Sequence, residues 1–404
     1  MIRPHVVGDT TRMRFGHDRL ADWPLRPDVT YLNHGTVGVT PNRVLAAQRA
    51  IRDEMERSPS QFLLREQSGL VGVPTGRLSR VRLAANAVAA SLGAQGDDLV
   101  FVDNATTGVN AVLRSVPLAP GDEILLTDHN YGGTTRAAQF AARDRGASVR
   151  IAAVPYPQFD PRALVASVAG QINDRTRLAV FDHITAESAL VFPVAELMAV
   201  CRVRGVPVLI DGAHAPGVLP LDVPSLGADW YAANLHKWAC APRSCGVLWA
   251  RPDRQAGLHP PVISWGLDQG FAAEFDWVGT RDASAWLAAP EGFAFLDTIG
   301  RDQLWAHNHA LAWQGARRLA DRWGTSLGFS ESDIGFMATV PMPAALGSEP
   351  ADAARVRDAL LFGDRIEVQV HAAHGRLWAR ISVQIYNEMS DIDRLADAVI
   401  AHQS

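Results

Sequence analysis

The chain has 404 residues, which is enough for one large domain with a smaller companion, or for two domains with sizeable cores. Hydrophobic residues make up 48 % and charged residues 20 %, and the net charge of −5 argues against a nucleic-acid-binding surface. No apolar stretch reaches about 18 residues and charged side chains interrupt the first twenty, so we expect neither a membrane span nor a secretory signal, and a cytoplasmic protein.

From about Leu99 onward, short apolar runs alternate with helical patterns. The runs are LVFVD, EILLT, RLAVFD and VPVLID, and helical patterns follow the first three. This alternation predicts an α/β fold with a parallel sheet that is covered on both faces. The loops DNATTG, TDHNYGG, DHITAE and DGAHAPG follow these runs, so they are expected at the carboxyl edge of the sheet, where such folds bind ligands.

The pattern changes after about Pro290. A long helix over 302–323, a Pro- and Gly-rich link over 341–350, a helix from Ala351, two β-like runs (RIEVQV and RLWARISVQI) and a last helix after Ser390 predict a smaller α+β domain. We therefore expect an N-terminal segment of residues 1–30 that packs on the small domain, a large domain of residues 31–290, and a small C-terminal domain of residues 291–404.

Lys237, in NLHKWA, is the only lysine, and the other 37 basic residues are arginine. Arginine supplies charge and hydrogen bonds as well as lysine does, but its guanidinium does not lose a proton and is no amine nucleophile. A single retained lysine therefore indicates chemistry of the amine itself, such as Schiff-base formation. Coding bias with one leftover surface lysine is the alternative.

Asp211 ends the run VPVLID, which places a carboxylate at the ligand edge of the sheet. A carboxylate there can keep a pyridinium nitrogen protonated, the pairing on which pyridoxal 5′-phosphate (PLP) depends. His214 follows within reach of a ring hydroxyl. A strand-end Asp that caps the next turn is the simpler interpretation of Asp211.

The motif NATTGVN lies between a predicted strand and a predicted helix. Ala105, Thr106 and Thr107 would offer backbone N–H groups, hydroxyls and a positive helix end to a phosphate, although a threonine N-cap is the alternative. Asn234 and His236 are candidates for further phosphate contacts.

Tyr131 and His129 share a glycine-flanked loop. Either is a candidate to stack on a cofactor ring, and we favour Tyr131.

The three cysteines, Cys201, Cys240 and Cys245, do not form a disulfide framework, and neither CxxC nor HExxH occurs. We therefore expect no metal site and interpret Cys240 and Cys245, close to Lys237, as small buried thiols.

Together these motifs resemble those of a known family. YLNHGTVGVTP, FLLRE, NATTGVN, TDHNYGG, DHITAESAL, DGAHAPG, HKW, FDWVGTRDASAWL and RISVQIYN occur in the order found in the class V aminotransferase group of fold-type I PLP-dependent enzymes. The chain most resembles the isopenicillin N epimerase-like branch. This resemblance implies a transferase-like fold, with a mixed, mostly parallel seven-stranded sheet in the large domain and a smaller α+β C-terminal domain.

The resemblance also implies roles for individual residues. Lys237 binds PLP as a Schiff base and later moves the α-proton, Asp211 binds the ring nitrogen, and Thr106, Thr107 and His236 hold the phosphate. Beyond these cofactor contacts, Arg380 clamps the substrate carboxylate, Asn33 and His34 line the substrate side, and Thr280 reaches the phosphate of the neighbouring subunit in a homodimer.

Two departures from the family pattern limit this transfer of roles. Asn234 and Ala186 stand where serine is common, so one phosphate contact and one cofactor contact differ. The sequence HAAHG between the last two β-like runs has no cysteine, which argues against a desulfurase with a mobile cysteine nucleophile.

The reaction itself stays open at the level of sequence. The nearest resemblance favours an epimerase or racemase acting on an amino-acid-like substrate, with Tyr131, His129 or His34 as the second acid. A β-eliminating C–S lyase and an aminotransferase are the alternatives. A non-catalytic PLP-binding protein would have lost the lysine or the carboxylate clamp, and neither is lost.

Overall fold

The computed structural model describes residues 15–73 and 77–403. The first fourteen residues of the predicted N-terminal segment lie outside the described residues. The strands are β1 (Thr30–Tyr31), β2 (Leu99–Val102), β3 (Glu123–Thr127), β4 (Ser148–Ala152), β5 (Thr176–Asp182), β6 (Val208–Asp211), β7 (Trp230–Asn234), β8 (Gly246–Ala250), β9 (Met337–Pro341), β10 (Ile366–Glu367), β11 (Gln369–Ala373) and β12 (Arg376–Ser382).

Helices connect and cover these strands. They are α1 (His34–Val37), α2 (Asn42–Arg57), α3 (Pro59–Gln61), α4 (Arg80–Ser91), α5 (Ala105–Ser115), α6 (Gly132–Asp144), α7 (Pro161–Gln171), α8 (Val194–Val203), α9 (Phe271–Asp276), α10 (Ser284–Leu287), α11 (Ala289–Ile299), α12 (Arg301–Trp323), α13 (Pro350–Phe362) and α14 (Met389–Ala401). Among the residues that the structure describes, no helix is both long and apolar enough to cross a membrane.

The large sheet has seven strands in the order β2-β8-β7-β6-β5-β3-β4, and only β8 runs against the others. The strands are buried along almost their whole length except at β4, because helices cover both faces. This architecture confirms the predicted α/β fold with a mixed, mostly parallel seven-stranded sheet. Strands β7 and β8 were not predicted, and they flank the segment that carries Lys237.

The C-terminal region forms a second hydrophobic core around the antiparallel sheet β11-β12-β9. The predicted run RIEVQV is divided between two strands, because Ile366 and Glu367 pair with β1 whereas β11 pairs with β12. Strand β9 was not predicted.

The described part of the N-terminal segment contacts this C-terminal region. Gly16 donates its N–H to the carbonyl of Ile385, and Thr30 donates its N–H to the carbonyl of Arg365. The domain boundaries themselves stay a prediction.

Candidate active site

Two cavities lie at the carboxyl edge of the large sheet. The first, of about 390 Å³, is lined by residues that follow β2, β3, β5, β6 and β7, and the loops after the first four are those that the sequence places at this edge. We call it the strand-edge cavity. The second, of about 680 Å³, extends from it towards β11 and β12, and we call it the outer cavity. Six residues line both: Thr36, Val37, Tyr131, Ala186, His214 and Lys237. We call the region that these six residues share the junction.

The segment that follows β7 carries Lys237 into the junction. His34 is fully buried and its Nε2 lies 3.1 Å from the backbone oxygen of Lys237, which it holds by a hydrogen bond. Gly38 has a φ of 68°, and a Cβ there would lie 1.9 Å from the carbonyl oxygen of His236. Only glycine therefore allows the N-terminal segment to cross so close to the lysine.

The Lys237 amine contacts an imidazole whose proton position is fixed from the other side. The Trp238 indole is only a donor, and its Nε1 lies 3.3 Å from Nδ1 of His214, so Nδ1 is the acceptor. Neutral His214 then carries its proton on Nε2, which lies 3.0 Å from Nζ of Lys237. The Nε2–H of His214 points at Nζ of Lys237, and Nζ can accept this hydrogen bond only through the lone pair of a neutral amine.

Electrostatics favours the same state. Burial and then the Arg380 guanidinium lower the pKa of Lys237 to about 7, despite the carboxylates of Asp211 and Asp182. Burial also places the pKa of His214 well below its usual value, so its imidazole is neutral. The lysine amine is therefore partly deprotonated at neutral pH and available as a nucleophile.

Two buried carboxylates line the strand-edge cavity from paired positions of β5 and β6. Asp211 accepts hydrogen bonds from Oγ1 of Thr134, at 2.8 Å, and from the N–H of Ala213, at 3.1 Å. Its neighbour in the sheet, Asp182, was not assigned a role from the sequence, although it also ends a predicted strand. Burial raises the pKa of both carboxyl groups, and the charge of Asp211 raises that of Asp182 further.

Asp182 fixes the loop between β3 and α6. Its two oxygens accept from Nδ2 of Asn130, at 3.2 Å, and from the backbone N–H of Tyr131, at 3.1 Å. The Tyr131 side chain lines both cavities and is 49 % exposed. His129 lines only the outer cavity, where its Nδ1 lies 2.7 Å from Oγ of Ser188. Of the two predicted stacking residues, only Tyr131 therefore lines the strand-edge cavity.

The other end of the strand-edge cavity suits an anion, but not through all the predicted groups. Thr106 and His236 line it, at the start of α5 and beside Lys237. The N–H of Ala105 is not free, because it donates to Oδ1 of Asn234 at 2.8 Å.

Ala105 lines the cavity, whereas Thr107 does not. Its N–H and its hydroxyl both bond to Oδ1 of Asn104, which is the N-cap of α5. The expectation of a free N–H at Ala105 and a free hydroxyl at Thr107 is therefore wrong. Asparagine side chains, which are preferred over threonine as helix caps, accept hydrogen bonds from these groups.

Arg243 and Ser244 line the same end and were missed from the sequence. Arg243 lies six residues beyond Lys237, and its Nη2 donates to the carbonyl of Gly38 at 3.1 Å. Among 37 arginines no sequence signal distinguished it. It adds a cation to the end of the cavity where α5 begins.

Arg380 reaches the outer cavity from β12 and is 5 % exposed. Its Nη2 donates to Oγ1 of Thr36 at 2.6 Å, and its Nη1 donates to the carbonyl of Ala186. Burial lowers the pKa of Arg380 to about 10, so the group stays charged at neutral pH.

The N-terminal segment lines the substrate side with other residues than predicted. Thr36 and Val37 line both cavities, whereas Asn33 and His34 line neither. Both ring nitrogens of His34 are bonded, to Tyr386 and to Lys237, which removes it as a second acid. These bonds hold His34 in the interior, whereas Asn33 lies behind the cavity wall, where its Oδ1 accepts from Oγ1 of Thr36 and lies 3.4 Å from Nη2 of Arg380.

Thr280 is exposed and lines neither cavity of its own chain. Cys240 and Cys245 are fully buried, as the sequence indicates, and burial raises the pKa of the Cys240 thiol to about 12. Neither thiol is available as a nucleophile.

The strand-edge cavity matches the functional groups of PLP. A neutral amine suits an aldehyde, a buried carboxylate suits a ring nitrogen, and the hydroxyl, imidazole and guanidinium of Thr106, His236 and Arg243 suit a phosphate. Within the described residues, no group of three or more metal-binding side chains occurs.

Comparison with protein families matches residues 76–395 to the family described as aminotransferase class-V. A probable chloroplastic L-cysteine desulfhydrase from Arabidopsis thaliana is 32 % identical over 402 residues, which cover 92 % of this chain and 82 % of the relative. Isopenicillin N epimerase from Streptomyces clavuligerus is also 32 % identical, over 407 residues that cover 95 % of this chain and 98 % of the relative.

Solved structures share the fold. An apo cysteine desulfurase from Thermococcus onnurineus NA1 matches with a TM-score of 0.77 at 20 % identity and covers 96 % of this chain and 97 % of its own. The cystine C–S lyase C-DES, in complex with cysteine persulfide, matches with a TM-score of 0.76 at 23 % identity, covering 95 % and 98 %. Likeness at these identities supports the fold alone.

Proposed function

The chain belongs to the class-V aminotransferase family, and from this premise we propose that it is a PLP-dependent enzyme that acts at the α-carbon of an amino-acid substrate, as an epimerase. The observation that carries the proposal is the amine of Lys237, whose Nζ lies 3.0 Å from Nε2 of His214 in a cavity that Asp211 also lines. Such an amine condenses with an aldehyde, and the chain has no second lysine that would do so.

The strand-edge cavity would hold the cofactor. Lys237 binds the aldehyde, Asp211 pairs with the ring nitrogen beside His214, and Tyr131 covers the ring. Thr106, His236 and Arg243 hold the phosphate, while Asn104 and Asn234 fix the start of α5. When bound, PLP withdraws electrons from the substrate's α-carbon and makes its proton acidic.

Arg380 would hold the substrate carboxylate. Its guanidinium is buried, charged and already turned towards the junction by Thr36, and a planar fork suits a carboxylate. The α-carbon is thereby held within reach of Lys237, which acts as the base for its proton.

Epimerisation needs an acid on the face of the α-carbon opposite the base. Tyr131 is the candidate that the site supports best, since it lines both cavities together with Lys237 and its side chain is not buried by packing. His129 lies farther out, with its Nδ1 bonded to Ser188.

A β-eliminating C–S lyase is the second candidate function. The L-cysteine desulfhydrase relatives support it at the same identity as the epimerase. Elimination needs one base, Lys237, and a sulfur leaving group on Cβ. A desulfurase mechanism is not supported, because the hairpin between β11 and β12 has no cysteine and all three cysteines are buried.

Product analysis in deuterated water tests the proposal. The PLP-loaded protein is incubated with a panel of L-amino acids and S-substituted cysteines. An epimerase yields α-deuterated substrate of inverted configuration, and Tyr131→Phe slows inversion more than it slows exchange. Release of pyruvate and a thiol identifies the lyase instead. A protein that exchanges no α-proton in any substrate contradicts both.

A further inference from the structure

The outer cavity extends well beyond the carboxylate clamp. Gln369, His371 and Ala373 line it from one face of β11, whereas Val370 points into the core and is 3 % exposed. Gln369 pairs directly with Arg380 on β12. A strand rises about 3.4 Å per residue, so the wall continues about 7 Å to His371 and about 14 Å to Ala373.

Aromatic side chains form the far end of this wall. The Tyr156 ring lies 4.9 Å from the ring of His129 and 5.3 Å from that of His374, measured between centroids. Trp378 packs behind Tyr156 at 5.1 Å. The end of the cavity is therefore built by contacts between β11, β12 and the loops that follow β3 and β4, and a substrate side chain as short as that of cysteine would not reach it.

The lining at this end is polar without a fixed positive charge. Burial lowers the pKa of His129 and of His371 to about 4, so both imidazoles are neutral at physiological pH. The cations of the outer cavity, Lys237 and Arg380, lie at its inner end. The nearest other cation, Arg376, does not line the cavity: its Cζ lies 5.5 Å from the centroid of the Trp378 ring and its Nη2 donates to the carbonyl of Met342, whereas the carboxylate residue Glu187 does line it.

Two imidazoles offer hydrogen bonds to a neutral group. A chain of hydroxyls at 2.7 Å runs from Thr185 to Ser188 to Nδ1 of His129. Ser188 therefore satisfies Nδ1 of His129, which leaves Nε2 as the ring nitrogen that can meet a ligand. Within the described residues, Nδ1 of His371 has no hydrogen-bond partner. An unpaired buried polar atom costs free energy that a ligand can recover.

We propose that the outer cavity selects an α-amino acid whose side chain is several atoms longer than that of cysteine and ends in an uncharged hydrogen-bonding group, such as a carboxamide. His371 and His129 are the residues that recognise this group. The inference rests on the proposed function, because Arg380 and Lys237 hold the other end of the same substrate. It holds equally for inversion at Cα and for cleavage at Cβ.

Three S-substituted cysteines test this selection. The PLP-loaded protein is titrated with S-carbamoylmethyl-, S-carboxymethyl- and S-methyl-L-cysteine, and the change in cofactor absorbance is recorded at the time of mixing. The first two ligands have the same shape and differ in charge. The carboxamide is expected to bind roughly tenfold more tightly than the methyl compound, as one or two hydrogen bonds allow, and more tightly than the carboxylate.

Variants of His371 test whether this wall of the cavity is responsible for the preference among the three ligands. In His371→Leu the ratio of carboxamide to methyl affinity is expected to fall by roughly fivefold, and in His371→Gln, which keeps a donor and an acceptor, most of the ratio is kept. His309→Leu, the same change on the far helix α12, keeps the parent ratio. A His371→Leu variant with the parent ratio contradicts the assignment.

The outcomes separate this inference from the proposed function. Equal affinities for the three ligands, or a preference for the methyl or the carboxylate compound, overturn the inference while PLP chemistry stands. The absence of any spectral change with all three ligands overturns the proposed function and the inference with it.

Discussion

The protonation state of Lys237 is set by neighbours as well as by burial. Trp238 donates to His214 and His214 donates to Lys237, so a tryptophan that touches no ligand determines which form of the amine is favoured. An ammonium group at Nζ would meet a second N–H, whereas the neutral amine accepts it. The same three residues lie in two motifs that are distant in sequence, DGAHAPG and HKW.

Replacement of Trp238 by phenylalanine tests this chain of donors. Without the indole N–H, His214 can carry its proton on Nδ1 and accept from an ammonium, so the pKa of Lys237 is expected to rise above about 7. The parent amine is neutral above that pH and protonated below it. Capture of PLP by the apo-protein should therefore reach its half-maximal rate at higher pH in the variant.

Absorbance at the Schiff-base band, followed against time and pH, gives this midpoint. Trp249→Phe is the matched control, because Trp249 is also buried and its indole nitrogen has no partner among the described residues. A Trp238→Phe midpoint equal to that of the parent would show that the hydrogen bonds from Trp238 and His214 do not affect the pKa of the amine.

At the scale of elements, the conformation of the loop between β3 and α6 depends on a side chain of strand β5. Asp182, at the end of β5, bonds to Asn130 and to the N–H of Tyr131, and Asn130 bonds back to Thr127. The Tyr131 ring itself is half exposed. The position of that ring therefore depends on its backbone, which Asp182 fixes.

Asp182→Asn is expected to weaken PLP binding through Tyr131. The amide keeps the shape of the side chain but turns a donor towards the N–H of Tyr131 or loses the bond to Asn130. Loss of ring stacking costs about 0.5 to 1.5 kcal/mol, so the dissociation constant of PLP should rise roughly two- to tenfold. Because both residues act through one ring, Asp182→Asn and Tyr131→Ala should be less than additive.

The double variant separates this positioning role from a direct electrostatic one. Dissociation constants are measured by equilibrium dialysis for the parent, the two single variants and the double variant. Fully additive losses of affinity would show that Asp182 acts on the cofactor independently of Tyr131.

At the scale of the whole molecule, one surface segment is unusually apolar. Between β8 and α9, Val262, Ile263 and Leu267 are 58 %, 52 % and 44 % exposed, and Trp265 is 76 % exposed. Exposed apolar patches of this kind are typical of interfaces. Thr280 is exposed as well and follows α9, the helix that comes directly after this segment. We propose that this segment forms the homodimer contact that brings Thr280 to the partner's phosphate site.

Trp265→Glu is expected to dissociate this dimer, because a charge buried in an apolar interface is costly. Sedimentation should give about twice 43.7 kDa for the parent and about 43.7 kDa for the variant. Val203→Glu is the control, since Val203 is 84 % exposed on α8 and lies outside the segment. A parent that sediments as a monomer, or a dimer that tolerates Trp265→Glu, contradicts this assignment.

Apolar runs were sufficient to predict four strands of the sheet, β2, β3, β5 and β6, and the loops after these strands line one cavity, which Asp211 and Tyr131 share with Lys237. Such runs were not sufficient for features that depend on which donor meets which acceptor. Asn234 accepts a hydrogen bond from the N–H of Ala105, and Asn104 accepts one from the N–H of Thr107. Hydrogen bonds to Tyr386 and to the backbone of Lys237 hold His34 in the interior. The bonds of Asn234 and His34 join residues far apart in sequence and leave no local pattern, whereas the bond between Asn104 and Thr107 spans three residues and is a local helix cap.

The lysine adduct is the most direct test of the account. The protein is loaded with PLP, reduced with borohydride and digested, and the peptides are analysed by mass spectrometry. The account predicts a reduced PLP adduct on Lys237 and none in Lys237→Arg, which keeps the charge but not the amine chemistry. A parent without an adduct at Lys237 after PLP is supplied would contradict it.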